Sequence, residues 1–156
     1  HDKILDLNEI DSILKIWRNK KVVFTNGCFD ILHKGHIDYL AKASDLGDIL
    51  IVGLNSDSSI KTLNKGKDRP LQDQSSRASI IASLQFVDKV ILFEESTPEK
   101  LINRIVPDVL VKGSDYKIED IVGHQIVLEN GGEVKTINFI EGYSTTSIIQ
   151  KAINSI

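Results

Sequence analysis

Lys21-Val22-Val23-Phe24-Thr25-Asn26-Gly27-Cys28-Phe29-Asp30-Ile31-Leu32-His33-Lys34-Gly35-His36 is the stretch from which the fold can be read. Val22-Val23-Phe24 is an apolar run of strand character. Asn26-Gly27 interrupts it with a turn. Ile37, Leu40, Ala41 and Leu46 then recur at helical spacing, so a helix begins near Lys34. The order is strand, glycine turn, helix, with His33 and His36 on one face of the helix start. A helix N-terminus offers unpaired N–H groups and partial positive charge. Gly35 lets an anion approach the backbone, and two imidazoles add donors. Fixed donors of this kind stabilise the charge that builds on phosphoryl oxygens during attack at phosphorus. On chemistry alone a structural reading stays open, since one histidine at a helix start is an ordinary cap or surface residue.

Outward from this stretch, strands and helices alternate. Residues 8–19 carry Ile10, Ile13, Leu14, Ile16 and Trp17 at helical spacing behind a cap at Asn8. Residues 48–55 form a near-continuous apolar strand, the kind covered on both faces of a parallel sheet. With the first strand and helix they complete a βαβ unit. A helix is expected over 75–87, a strand over 89–93, and a helix capped by Thr97 with Pro98 at its first position, ending before Pro107. A strand over 108–113, a helix over 119–130 stopped by Gly131-Gly132, a strand over 133–138 and a closing helix over 146–153 follow. Ligands of open parallel sheets bind beyond the carboxyl ends of the strands. The loop Gly113-Ser114-Asp115-Tyr116 therefore shares an edge with residues 26–36.

Two further loops fit phosphate chemistry. Asn64-Lys65-Gly66-Lys67-Asp68-Arg69-Pro70 holds three cations with a glycine and a proline. It reads either as a solvated surface loop or as a mobile basic loop closing over phosphates. Glu141-Gly142-Tyr143-Ser144-Thr145-Thr146-Ser147 puts four hydroxyl residues behind a glycine at a helix start, more donors than one cap needs. His124, with no suitably spaced partner, reads as a surface residue.

At 156 residues the chain is expected to form one domain, with residues 1–20 a helical extension and 21–156 the catalytic core. Hydrophobic residues make up 41% and charged residues 26%, ordinary for a globular protein. A net charge of −3 with dispersed Lys and Arg argues against nucleic acid or an anionic membrane as partner. The single cysteine, Cys28, excludes an internal disulfide and reads as a small buried turn residue. No apolar run reaches membrane-spanning length and no signal peptide is evident, so a cytoplasmic location is expected. The chain starts at His1 and has no methionine, as expected of a trimmed start or of a piece cut from a longer protein.

Gly27-Cys28-Phe29-Asp30-Ile31-Leu32-His33-Lys34-Gly35-His36 resembles the G-x-F-D-x-x-H-x-G-H signature of the cytidylyltransferase-like nucleotidyltransferases. These transfer a nucleoside monophosphate from an NTP to a phosphorylated or acidic acceptor and release pyrophosphate. The resemblance implies an α/β, Rossmann-like three-layer α/β/α fold, here with a five-stranded parallel sheet. Ser144-Thr145-Thr146 matches the superfamily's element for the β- and γ-phosphates. Lys65, Lys67 and Arg77 stand where family members contact the NTP, and Asp88 where an acidic residue lies near the acceptor. Further stretches, Phe93 to Pro98, Pro107 to Tyr116, and Gly131 to Thr146, resemble the adenylyltransferase domain of bifunctional ADP-heptose synthases over about residues 18–154. That domain joins ATP to D-glycero-β-D-manno-heptose 1-phosphate, for lipopolysaccharide or other surface glycans. The chain contains no sugar-kinase sequence; a kinase partner would be a separate chain or a fused domain. The glycerol-3-phosphate cytidylyltransferases carry an arginine shortly before their S-T-T element, where Phe139 stands here.

The resemblance thus implies His33, His36 and Lys65 as catalytic. It implies Thr25, Asn26, Gly27, Phe29, His33, His36, Lys67, Arg77, Lys112, Gly113, Asp115, Tyr143, Ser144, Thr145 and Thr146 around the nucleotide, and Asp30 and Asp88 at the acceptor. No protein metal site is expected; Mg²⁺ would be held mainly by the ATP phosphates. A homodimer is compatible with the sequence, and no feature demands one. The alternatives are a cytidylyltransferase for glycerol 3-phosphate or another polyol or amino-alcohol phosphate, and a nucleotide-binding regulatory module without turnover.

Overall fold

The structure, a computed structural model, describes residues 2–63, 66 and 68–155. The strands are β1 (Ile4–Leu5), β2 (Val22–Gly27), β3 (Ile49–Asn55), β4 (Lys89–Phe93), β5 (Val109–Gly113) and β6 (Glu133–Ile137). The helices are α1 (Ile10–Ile16), α2 (Lys34–Ser44), α3 (Asp57–Thr62), α4 (Gln74–Ala82), α5 (Glu99–Ile105), α6 (His124–Glu129) and α7 (Thr145–Asn154), with 3-10 turns at Leu7–Glu9 and Ile118–Asp120. All strands pair in parallel, in the order β1-β4-β3-β2-β5-β6.

Strand alternation sorts the core onto two faces. Val23, Leu50, Val52, Leu54, Val90, Val109 and Val111 pack with Leu40 and Ala43 of α2 and Ile81 of α4. Val22, Phe24, Ile51, Ile91, Phe93 and Leu110 pack on the other face with Ile10, Ile102, Ile105 and Val127. Residues of opposite parity on one strand point to opposite faces, so each near-continuous apolar run feeds both layers. The result is the expected three-layer α/β/α arrangement.

The sheet has six strands, not five. The extra one, β1, is two residues long and pairs Ile4 and Leu5 with Val90 and Ile91 of β4. The first twenty residues are therefore partly sheet rather than wholly helical. The first helical cap is Asp6, not Asn8: its side chain accepts from the Asn8 amide, while Glu9 closes a capping box. Pro98 is itself the cap position of α5, so that helix starts one residue later than expected. The helix expected over 119–130 is split by Gly123, which has φ +84°. The helix expected over 75–87 ends at Ala82.

From β2 the chain runs outward through β3 and β4, then returns to lay β5 and β6 on the other side of β2. The crevice where the winding reverses lies beyond the carboxyl ends of β2 and β5, where α/β sheets bind ligands. The opposite rim is closed by aspartates. Asp48, Asp88 and Asp108 immediately precede β3, β4 and β5. Their carboxylates accept from the amides of Lys21, Leu50 and Val22, each at 2.7 Å.

Candidate active site

The crevice is built first from the β2–α2 turn. Phe29 takes the left-handed conformation, φ +45°, uncommon for a bulky residue. Its ring lies so close to Gly27 that a Cβ there would sit 2.9 Å from it. The same ring meets His36 edge-on, with centroids 5.2 Å apart. His33 is extended (φ −139°, ψ 171°) and caps α2: its Nδ1 accepts from the Gly35 amide at 3.1 Å. With Nδ1 accepting, the proton of the neutral ring sits on Nε2. Burial pushes the His33 pKa down, which favours that neutral form. The His33 and His36 rings stack at 3.8 Å and 21°. His33 is thus the cap ahead of α2 rather than a residue on its face, and it is ring stacking that sets it beside His36.

The hydroxyl loop lies against this turn. A Cβ on Gly35 would meet Tyr143 Cβ at 3.3 Å, and Lys34 Nζ lies 5.6 Å from the centre of the Tyr143 ring. Ser144 caps α7 by accepting from the Ser147 amide, and Ser147 answers with its own hydroxyl. The Ser144 hydroxyl is thereby engaged, and Thr145 and Thr146 form the first helical turn. Thr145 lines the same cavity as His36. The starts of α2 and α7, more than a hundred residues apart in sequence, thus meet at one cleft.

The end of β5 completes it. Lys112 Nζ donates to the Asn26 carbonyl at 3.3 Å and lies 5.0 Å from the Tyr116 ring centre. The Phe139 ring covers Gly113, leaving no room for a side chain there, and stacks on Tyr39 at 5.7 Å. Two adjoining cavities share Asn26, Gly27, Cys28, Lys112 and Tyr116. One, of about 260 Å³, adds Asp30, His36, Arg69, Asp115 and Thr145 and is the charged half. The other, of about 290 Å³, adds Asn55, Leu63, Ser96, Thr97 and Pro98 and is the neutral half.

Several residues expected at the ligands lie elsewhere. The Thr25 hydroxyl is buried, bonded to Tyr39 Oη at 2.7 Å and to the Val111 carbonyl at 3.0 Å. Arg77 is fully buried; its donors go to the carbonyls of Gln72, Cys28 and Asn55 and to Asp57 Oδ1. Asp88 is at the opposite rim, holding the Leu50 amide. Asp30 does line the charged cavity, but its carboxylate holds Arg69 and the amides of Leu71 and Gln72. Lys65 and Lys67 lie outside the described residues. Arg69 and Tyr116 also line the cleft, beyond the site residues that the sequence implies. The basic loop contains Arg69, but spacing alone does not say which of two arginines turns inward.

Among the described residues no three His, Cys, Asp or Glu side chains gather to hold a metal ion. Of the carboxylates lining the charged cavity, Asp30 is committed to protein donors, leaving Asp115. That donor set suits a divalent ion arriving on phosphates rather than one caged by protein. No helix of the described residues is long and apolar enough to cross a membrane.

Residues 24–151 match the cytidylyltransferase-like family model. The chain is 54% identical over 149 residues to the bifunctional protein HldE of Campylobacter concisus, covering 96% of this chain and 30% of that protein. It is 58% identical over 134 residues to HldE of Haemophilus ducreyi, covering 86% of this chain and 28% of that protein. The chain thus spans under a third of the length of these relatives. The crystal structure of a lipopolysaccharide core biosynthesis protein from Thermoplasma volcanium superposes with TM-score 0.64 at 33% identity, covering 80% of this chain and 99% of that one. A pantoate-β-alanine ligase from Francisella tularensis shares the fold, with TM-score 0.62 at 19% identity over 98% of this chain and 78% of that one.

Proposed function

The chain belongs to the cytidylyltransferase-like family, and from that premise we propose that it transfers AMP from ATP to D-glycero-β-D-manno-heptose 1-phosphate, giving ADP-heptose and pyrophosphate. The observation that carries the reading is the meeting of the α2 and α7 N-termini, with the stacked histidines and Lys112, at the reversal of sheet winding. Such a cleft suits a polyphosphate. Identity of 54–58% to bifunctional HldE proteins, and the likeness to a lipopolysaccharide core biosynthesis protein, support the heptose branch.

The acceptor phosphate is already an anion, so an in-line attack on the α-phosphorus needs no strong general base. Positioning and charge stabilisation supply the catalysis. His33 Nε2–H and His36 would donate to the α-phosphoryl oxygens as charge builds on them. Thr145, Thr146 and the first amides of α7 would hold the far phosphates, and Lys112 would offset charge on the same side. Mg²⁺, carried on the phosphates, would neutralise part of their charge. The neutral cavity, with Asn55, Ser96 and Thr97, would take the heptose hydroxyls. A sugar kinase supplying the 1-phosphate, fused as the word bifunctional suggests for the relatives or separate, would act upstream in the cytoplasm.

The test is pyrophosphate release with Mg²⁺ and the heptose 1-phosphate, ATP against CTP. Turnover with ATP is expected. Turnover with CTP alone would overturn the base assignment, and binding of ATP without release would favour a regulatory module. His36→Ala is expected to lower kcat by about a hundredfold or more with a small change in KM; an unchanged kcat would remove His36 from the mechanism.

A further inference from the structure

We propose that Arg69 is the arginine that grips the nucleotide's phosphates, and that buried Asp30 is the residue that positions it. The inference rests on the reading of the charged cavity as a polyphosphate site. Arg69 lines that cavity together with His36, Lys112 and Thr145, and its side chain is only 19% exposed. One edge of its guanidinium is fixed: Nε donates to Asp30 Oδ2 at 2.6 Å. The terminal nitrogens have no hydrogen-bond acceptor among the described residues, so the two-pronged end of the fork is what this side chain has to offer. A guanidinium held at Nε presents two parallel N–H donors, the geometry that matches two phosphate oxygens.

Asp30 is committed elsewhere than to a ligand. Oδ1 accepts from the Leu71 and Gln72 amides, each at 2.9 Å, and Oδ2 takes Arg69. Its side chain is 1% exposed. The aspartate of the β2–α2 turn therefore fastens both the arginine and the backbone that follows it, and any loss at Asp30 reaches the ligand through Arg69. Arg77 has the opposite arrangement: its side chain is fully buried and its Nε, Nη1 and Nη2 all donate to protein acceptors. Of the two arginines between α3 and the middle of α4, one ties the scaffold together and the other faces the cleft.

The Arg69–Asp30 pair is neutral overall, so its contribution is directional. That separates the proposal from a general effect of positive charge. Calorimetric titration of the wild type, Arg69→Ala, Arg69→Lys, Asp30→Asn and the double variant with ATP, pyrophosphate and adenosine tests it. Arg69→Ala is expected to weaken ATP and pyrophosphate about ten- to hundredfold and leave adenosine unchanged. Arg69→Lys, which keeps the charge but not the fork, is expected to recover little of the loss. Asp30→Asn should weaken ATP in the wild-type background and have no added effect on Arg69→Ala, the coupling expected of a residue acting through another. The double variant buries no unpaired charge, so it keeps the phosphate measurement available if Arg69→Ala alone folds poorly. Full affinity for ATP and pyrophosphate in Arg69→Ala or the double variant would overturn the proposal, as would full rescue by lysine. Additive losses would reduce Asp30 to a structural residue. Failure of the wild type to release pyrophosphate while it binds ATP would overturn the proposed reaction and leave the Arg69 titrations to be judged on their own.

Discussion

His33 caps α2 and is also the proposed phosphate donor, and the two roles can be separated by substitution. As the cap of α2 it needs only an acceptor near Gly35; as a donor to phosphate it needs the imidazole. His33→Asn should keep the helix start and lose turnover, because asparagine is a good N-cap. His33→Ala should lose turnover and also about 1 kcal/mol of stability. Denaturant midpoints and pyrophosphate release on the two variants check this; equal stability loss in both would mean the cap does not matter. The residue also leaves a pH signature. Burial depresses its folded pKa below the unfolded value of about 6.5, so between those values the unfolded state binds more protons. Stability is then greatest above about pH 6.5 and falls as pH drops toward the folded pKa. The wild-type denaturant midpoint should decline over that window and His33→Asn should decline less; parallel profiles would contradict it. The pairing of the two histidines was legible in the sequence from their spacing at a helix start, though His33 is the cap and not part of the helix. Arg77 was not, because whether a residue on the first turn of α4 points at the cleft or into the core depends on how α4 sits against β3, which spacing does not carry.

At the level of elements, the sequence is clearest where strand and helix ends obey local rules. The strand over 89–93, the caps at the starts of α2 and α7, and the two glycine turns around the cleft follow from residue type and position. Asp88 shows where resemblance and local rule part. By resemblance it belongs near the acceptor; in the fold it directly precedes β4, and strand beginnings lie at the rim away from the cleft. A pattern visible in the chain, an aspartate directly before each of β3, β4 and β5, points to the structural role instead. Asp88→Ala should cost about 1–2 kcal/mol by orphaning the Leu50 amide and leave the acceptor KM unchanged. A raised KM at unchanged stability would return Asp88 to the site. The short β1 is not legible in the sequence, because a two-residue strand has no period to detect.

Over the whole molecule, the order of strands fixes what the cleft can be. It brings the β2–α2 turn and the α7 start together across more than a hundred residues. Alternating apolar runs announced the parallel sheet; the tie between its layers at the cleft was hidden, because it runs through one side chain. Arg77 links the β2 turn, the end of β3, α3 and the start of α4. Arg77→Met should cost about 3 kcal/mol or more, since it strands two buried carbonyls, a part-buried one and an aspartate. A thermal melt checks it, and a stable variant that merely loses ATP affinity would point to a ligand role instead. The aspartate rim has a consequence for how the molecule breathes. Amides at strand beginnings usually fray and exchange with solvent early. Here those of Lys21, Val22 and Leu50 are each held by a carboxylate from the neighbouring strand. In deuterium exchange that end of the sheet should stay closed until the core opens, so local opening falls to the rim that carries the proposed substrate cleft.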